Sequence, residues 1–254
     1  MQQISRIWLP VLCTAACFAQ ANQEIVTDRP DITEASTVIP VGSVQFENGV
    51  TWTNDRGVRM WDLPETLVRV GVASCTELRL SPPGYFDQGR GERMLAGFSD
   101  ASVGVKEQLG PLPGRFDLAV ILALSVPTGA PALTSHGLDP FLKLPWSRDL
   151  KGGWSIGGMQ SLFYDTDQQR RRLTWETTFY LEREVTRHAD VFLEYGDDYS
   201  PPGASRQVIH SGAAYRFGPR HQIDVHFGFG LSHTAPQQFF AAGYSFRLDH
   251  LFGK

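Results

Sequence analysis

The chain has 254 residues, 20% of them charged, and a mean hydropathy of −0.20. It contains no apolar run of the ~18 residues that a membrane-spanning helix requires, which excludes a helical membrane protein. A net charge of −4 at pH 7 also argues against a nucleic-acid partner, which would call for a basic surface.

Residues 1–21 read as a secretory signal. Arg6 supplies the positive start, Ile7 to Phe18 the short apolar stretch, and Cys17-Phe18-Ala19 or Ala19-Gln20-Ala21 the small-residue cleavage site. Its loss removes Arg6 and takes the net charge from −4 to −5. Residues 22–42 follow with Pro30, Pro40, several charges and no strand period, which predicts an N-terminal segment, periplasmic or lumenal, rather than a domain.

From residue 43 to 254 the dominant pattern has a period of two. In His221 to Ser232, Ile223, Val225, Phe227, Phe229 and Leu231 share one face, while Gln222, Asp224, His226, Gly228 and Gly230 share the other. A helix would scatter these residues around its axis, so the stretch is a strand with one apolar and one wet side. The same pattern predicts strands near Ser43 to Thr53, Glu65 to Ala73, Cys75 to Leu80, Phe98 to Leu109, Phe116 to Val126 and Asp139 to Ser147. Further strands are predicted near Gly153 to Tyr164, Arg172 to Glu184, Ala189 to Gly196, Arg206 to Phe217, His221 to Ser232 and Gln238 to Leu248. They number about twelve, an even count of the kind bacterial membrane barrels show. Gln160 falls on the apolar parity of its strand, which predicts a bulge near Gly157 and Gly158.

The connections alternate in length. Ser81 to Gly97, Thr128 to Leu138, Asp165 to Arg171 and Asp197 to Ser205 read as long loops, with tight turns between them such as Asp149 to Gly152 and Gly218 to Arg220. Short periplasmic turns and long outer loops produce this alternation. Several strands exceed the ~5–6 residues usual in globular proteins and match the ~9–11 needed to cross a bilayer at a tilt. Trp52, Trp154, Tyr164, Trp175, Tyr215 and Phe217 sit near strand ends, where aromatic girdles lie. The fold class read from these features is all-β, a transmembrane antiparallel up-and-down β-barrel of about 12 strands.

One stretch carries a family resemblance. Thr27-Asp28-Arg29-Pro30-Asp31, then Thr33-Glu34, Val38, Pro40, Gly42, Gln45 and Glu47, resembles the opening of an outer-membrane β-barrel family named for the meta-pathway of phenol degradation. The resemblance implies a location in the cell outer membrane and a transporter of small solutes, aromatic or otherwise poorly soluble. Many such barrels finish on an aromatic residue, whereas here Leu248 is followed by Asp249 to Lys254.

Motifs for catalysis and metal binding lack their context. Gly153-Trp154-Ser155-Ile156-Gly157 matches the G-x-S-x-G nucleophile elbow, yet that motif works on a turn from strand to helix, and here a strand continues. His210 and His226 point inward on neighbouring strands, with His210 opposite either His226 or Gly228; Asp224 is the nearest third ligand. A hydrogen-bonded pair of lining histidines is the simpler reading, so neither a metal nor a cofactor is expected.

Inward parity also places Glu47, Arg69, Glu77, Arg79, Asp100, Lys106, Asp117, Lys143, Glu176, Glu182, Asp190, Glu194, Arg216, Asp224 and Arg247 in one lumen, which is either a polar passage or an interior closed by its own ion pairs. The charges Asp28, Arg29, Asp31 and Glu34 are too many for ordering by apolar burial, while the prolines stiffen their segment. The segment is therefore expected to enter the barrel from the periplasm and constrict it. Arg69 and Arg79 are the expected partners for its acids, and Glu47 or Glu77 for Arg29.

The function read from the sequence is a passive channel or transporter. Its predicted substrate- or pore-lining residues are Asp28, Arg29, Asp31, Glu34, Glu47, Arg69, Glu77, Arg79, Asp117, Glu176, His210, Arg216, Asp224 and His226. The expected partners are outer-membrane lipid, the small-molecule solute and, during biogenesis, the barrel assembly machinery. The rival readings are a plugged structural or surface-binding barrel and an outer-membrane lipid-modifying enzyme. The enzyme would need an outward Ser and His on one strand with an acid or amide, and the sequence offers no such set.

Overall fold

The computed structural model describes residues 24–90, 93–114, 116–167 and 170–252. The predicted signal, residues 1–21, lies outside them. Among the described residues all regular structure is strand. The first half holds β1 (Val44–Asp55), β2 (Val58–Leu63), β3 (Leu67–Ala73), β4 (Thr76–Ser81), β5 (Tyr85–Arg90), β6 (Arg93–Phe98), β7 (Ala101–Gln108) and β8 (Asp117–Val126). The second half holds β9 (Asp139–Asp149), β10 (Trp154–Asp167), β11 (Arg170–Thr186), β12 (Ala189–Tyr199), β13 (Arg206–Arg216), β14 (His221–Gly230) and β15 (Gln238–Leu248).

Neighbouring strands pair antiparallel, and β15 returns to β1 in register from Val44↔Leu248 to Asn54↔Gln238. The sheet is thereby closed, which satisfies its edges and meets the condition for a sheet in hydrocarbon. Its segments fill 12 barrel positions, because β2 and β3, β4 and β5, and β6 and β7 are each one strand with a break. Thus β1 pairs with β3 over Val44–Glu47 and with β2 over Thr51–Asp55. Two of the breaks contain proline, Pro64 in one and Pro82-Pro83 in another, which has no N–H for the ladder. Backbone bonds from Glu65 N to Gly49 O (2.9 Å) and from Ser99 N to Gly84 O (2.8 Å) bridge across them. The first of these sets Glu65 beside Gly49, a placement that matters inside the barrel.

Several expectations about connections change. Most of Ser81 to Gly97, expected as a loop, forms the β5–β6 pair, and β10 and β11 extend through most of Asp165 to Arg171. Strands that rise beyond a bilayer need no lipid face, so they lack the apolar alternation that marks the others. The long connections at this end are 127–138, 200–205 and 231–237, while β1 turns into β2 through Arg56 and Gly57, both at positive φ as a tight hairpin turn requires. The bulge expected near Gly157 and Gly158 is absent, since β10 and β11 keep register from Trp154↔Arg183 to Asp167↔Arg170. Gln160 instead faces outward, where its Oε1 accepts from Thr177 Oγ1 at 3.1 Å, so two polar side chains satisfy each other on the outer face. At the other end β15 stops at Leu248, and the chain folds back so that Leu251 N donates to Gly42 O at 2.8 Å.

The two faces of the wall are inverted relative to a soluble protein. Leu122 and Phe227, on the outside, are 54% and 52% exposed, whereas Glu47, Arg69, Glu77, Lys106 and Glu194, on the inside, are 0% exposed. An apolar exterior around a charged interior suits a lipid surround. Exposed aromatic residues band both ends, with Trp154, Tyr215 and Phe217 near the tight turns and Tyr164, Trp175 and Tyr199 near the long loops. The end that carries the tight turns and the start of β1 is the periplasmic one by this rule.

Candidate functional site: the barrel interior

Residues 24–42 form no strand. They are held instead by inward side chains from both sides of the barrel, so the segment crosses the interior. On the side made by β1, β3, β4 and β7 the organising group is Arg69. Its Nε and Nη2 form a fork on Glu77 (2.9 Å each), and Nη1 donates to Glu47 (3.0 Å). The remaining N–H groups reach the carbonyls of Val26 and Thr37, both at 3.0 Å. All five guanidinium donors are used, which is how a buried arginine offsets its desolvation.

Asp28 completes this cluster. Its carboxylate lies 2.7 Å from Arg79 and 3.0 Å from Lys106, and it accepts Ala35 N at 2.8 Å, while its own N–H donates to Glu47 at 2.8 Å. Glu34 bridges Arg79 (2.7 Å) and Lys143 (2.6 Å), and the N–H of Ile39 donates to Glu77 at 3.0 Å.

On the opposite side, made by β11 to β15, the segment is held by fewer groups. Glu194 accepts from Ile32 N (2.7 Å), Thr33 N (2.8 Å), Thr33 Oγ1 (2.5 Å) and His210 Nε2 (2.6 Å), a full set for one carboxylate. Thr178 donates in turn to Thr33 Oγ1. Arg29 spans to Glu65 at 2.8 Å and to Asp224 at 3.4 Å. Its guanidinium lies over Gly49 and Gly243, which face each other on β1 and β15, and a Cβ at either position would collide with it. The paired glycines leave the room in which Arg29 lies between Glu65, bonded beside Gly49, and Asp224, paired with Gly243.

Two cavities flank the segment. The outer one, about 330 Å³, is bordered by Arg29, Asp31, Glu176, Asp198, His226 and Phe239 among others. The periplasmic one, about 370 Å³, is bordered by Asp31, Asp117, Asp149, Glu182, Asp190 and Arg216 among others. Arg29, Pro30, Asp31 and Ile32 or Thr33 lie where the two meet.

The predicted lining residues therefore divide. Arg29, Asp31, Glu176 and His226 border the outer cavity; Asp28, Arg29, Asp31, Glu34, Asp117 and Arg216 border the periplasmic one. Glu47, Arg69, Glu77 and Arg79 are buried in the ion-pair cluster behind the segment, Asp224 is covered by Arg29, and His210 is packed against Phe192, His226 and Phe239. The His210 ring stands opposite Gly228, one of the two registers that parity allowed. Among the described residues no group of His, Cys, Asp or Glu is arranged to hold a metal.

Two aspartates three residues apart show how different the sides are. Burial would raise the Asp28 carboxyl, but Arg69, Lys106 and Arg79 outweigh it and hold the group well below its ordinary value. Burial also raises Asp31, and there the neighbours Glu194, Glu182, Asp224 and Asp190 push it further the same way, well above the usual range.

Several contributors were not among the expected lining residues. Arg29 goes to Glu65 and Asp224 rather than to Glu47 or Glu77, because the Pro64 break turns Glu65 toward Gly49; only its backbone N–H reaches Glu47, at 3.3 Å. Thr33, Thr178 and Gln222 also hold the segment and carry no charge to mark them. A sequence signal did exist: Gly49, Gly71 and Gly243 stand on inward parity, and a Cβ at Gly71 would meet the Pro40 carbonyl. Glycine at inward sites of neighbouring strands reports that backbone or a bulky side chain comes close.

A closed 12-stranded antiparallel barrel, apolar outside and charged within, defines an outer-membrane β-barrel, and the cell outer membrane is its location. A family model described as "Putative MetA-pathway of phenol degradation" matches residues 27–248, and the chain belongs to that family. Solved structures share the fold at low identity. The COG4313 outer membrane channel from Pseudomonas putida F1 superposes with a TM-score of 0.62 at 13% identity, over 86% of this chain and 99% of that one. The NanC porin gives 0.57 at 9% identity over 81% and 100%. The KdgM porin gives 0.53 at 10% identity over 80% and 98%. No curated protein matches the sequence.

Proposed function

We propose that the protein is a passive outer-membrane channel for small solutes, constricted by residues 24–42. The observation that carries this reading is the pair of cavities, about 330 and 370 Å³, on the two sides of a segment held by polar contacts inside a closed wall. Where the cavities reach them, the segment's hydrogen bonds can be exchanged for water at modest cost, whereas a packed apolar core would seal the barrel. The channel and porin neighbours lend support through the shared fold. Gly153 to Gly157 leads into strand β10 rather than a helix, so the elbow motif gives catalysis no footing.

The second reading, a plugged structural barrel, draws on the same segment. Conductance in planar bilayers separates the two. The parent should pass ions in small steps, and deleting Asn22 to Ile39 behind an intact signal should enlarge them. Arg29→Glu, which sets a carboxylate against Glu65 and Asp224, should reproduce part of that gain while leaving the Arg69 cluster intact. A barrel that inserts normally but stays closed as parent and as both variants is structural.

A further inference from the structure

We infer that the passage selects for cations and neutral molecules and rejects anions, so that its solute class includes small amines rather than carboxylates; the inference deepens the channel reading and rests on it. The argument starts from where the cations are used up. Arg69 and Lys106 are 0% exposed, and with Arg79 they face Glu47, Glu77 and Asp28 within the cluster. Lys143 is bound to Glu34. None of these four borders either cavity.

The carboxylates are distributed differently. Glu176 and Asp198 border the outer cavity, and Asp117, Asp149, Glu182 and Asp190 the periplasmic one. The cations that face them are few. Arg29 is held by Glu65 and Asp224, Arg216 by Asp190 and by Glu24 at 3.2 Å, and Arg206 stands at the outer rim. Asp31 borders both cavities, and its Oδ1 is buried without a hydrogen-bond partner. A solute moving from one cavity to the other passes this carboxyl, with acids ahead of it and behind it. Burial and its acidic neighbours hold it above the usual range, and a passing cation, by supplying the missing partner, draws it into its charged form. Low-dielectric walls concentrate such a field, enriching cations and depleting anions.

The measurement is the reversal potential of the full-length protein in a planar bilayer across a KCl gradient. The parent should favour K⁺ over Cl⁻ by about tenfold, on the scale of charge focusing in narrow clefts. Asp31→Asn should at least halve that ratio, and Glu176→Gln, which is clear of the segment's attachments, should lower it less. In liposomes, benzylammonium should enter faster than benzoate of similar size. A conducting parent that is unselective or prefers Cl⁻ overturns this inference and leaves the channel reading standing. A parent that does not conduct overturns both.

Discussion

The two walls of this barrel are built from the same alternating strands and use their inward charges in opposite ways. On β1, β3, β4 and β7 the acids and bases are matched, buried and dry, and Arg69 has a partner for each N–H. On β10 to β14 the acids outnumber the bases, and several border the cavities. The first wall fastens the segment and the second leaves it room. A buried ion pair is a weak source of net stability but a strong source of position, because any other arrangement strands a charge. Positioning therefore rests mainly on one wall, while the cavities open along the other.

The sharpest way to break this contrast is to remove one cation from each wall. Arg69→Ala leaves the buried Glu47 without its cation and takes the forked partner from Glu77, and should destabilise the barrel by ~3–5 kcal/mol. Arg216→Ala, whose pair with Asp190 borders the periplasmic cavity, should cost less, ~1–2 kcal/mol, the scale of a lost charged hydrogen bond whose acceptor lies beside a cavity. Urea unfolding in detergent, followed by the gel shift between unheated and heated samples, compares them. Similar losses for both would mean that the walls do not differ as described.

The contrast should vanish on the outer face. Val225→Arg on β14 and Leu122→Arg on β8 each place a charge near mid-strand against lipid and should each cost ~2–4 kcal/mol, impairing assembly alike. Asp224→Asn, one residue from Val225 but facing inward, should assemble. If Val225→Arg and Asp224→Asn are tolerated equally, the faces have been misassigned. A smaller effect is expected from Thr33→Val, which preserves shape but takes the hydroxyl donor from Glu194. The segment should loosen by ~1–2 kcal/mol, seen as faster proteolysis near Thr33 without loss of the barrel.

The smallest effect lies outside both walls. Asp100 accepts the N–H groups of Gly129 (2.8 Å) and Ser135 (2.9 Å) and so ties down the outer loop 127–138. Partial burial raises its carboxyl, but the bonds from Ser135 and Gly129 prevail and lower it below the usual value. An acid depressed on folding stabilises fully above its unfolded value, ~3.9, and loses that contribution as the pH falls through its folded one. Hydrogen-exchange protection of Gly129 and Ser135 should therefore be level near neutrality and decline below about pH 4. In Asp100→Ala it should be low throughout.

The outer shape of this molecule was legible because lipid imposes a rule on every second residue. Strands with one apolar face, such as His221 to Gly230 and Gln238 to Leu248, stand where the period of two put them. The rule stops at the bilayer edge, which is why β2, β5 and β6, polar or mixed on both faces, escaped it. Inside the barrel, parity told which charges face inward but not which meet. Asp28 and Glu34 go to Arg79 as their signs suggest, since that choice needs only proximity. The choice made by Arg29 depends on a break at Pro64 and on two glycines, and these are facts of backbone shape. Asp100 shows the opposite limit: its parity is inward, yet the Ser99-Asp100 break carries it to the loop instead.

The attachments of the central segment also differ in the length of chain they close. Lys106, which grips Asp28, lies 78 residues along the chain, whereas Glu194 and Asp224, which hold Thr33 and Arg29, lie 161 and 195 residues along. A nascent barrel with only β1 to β7 in place already offers the whole Arg69 cluster, and closing the shorter loops costs less chain entropy. The segment can thus be seated on one edge of an open sheet before β15 arrives. In the closed barrel the segment is in effect a ligand that the protein carries in its own sequence, and the seam at Gly49 and Gly243 is shaped to fit around its Arg29.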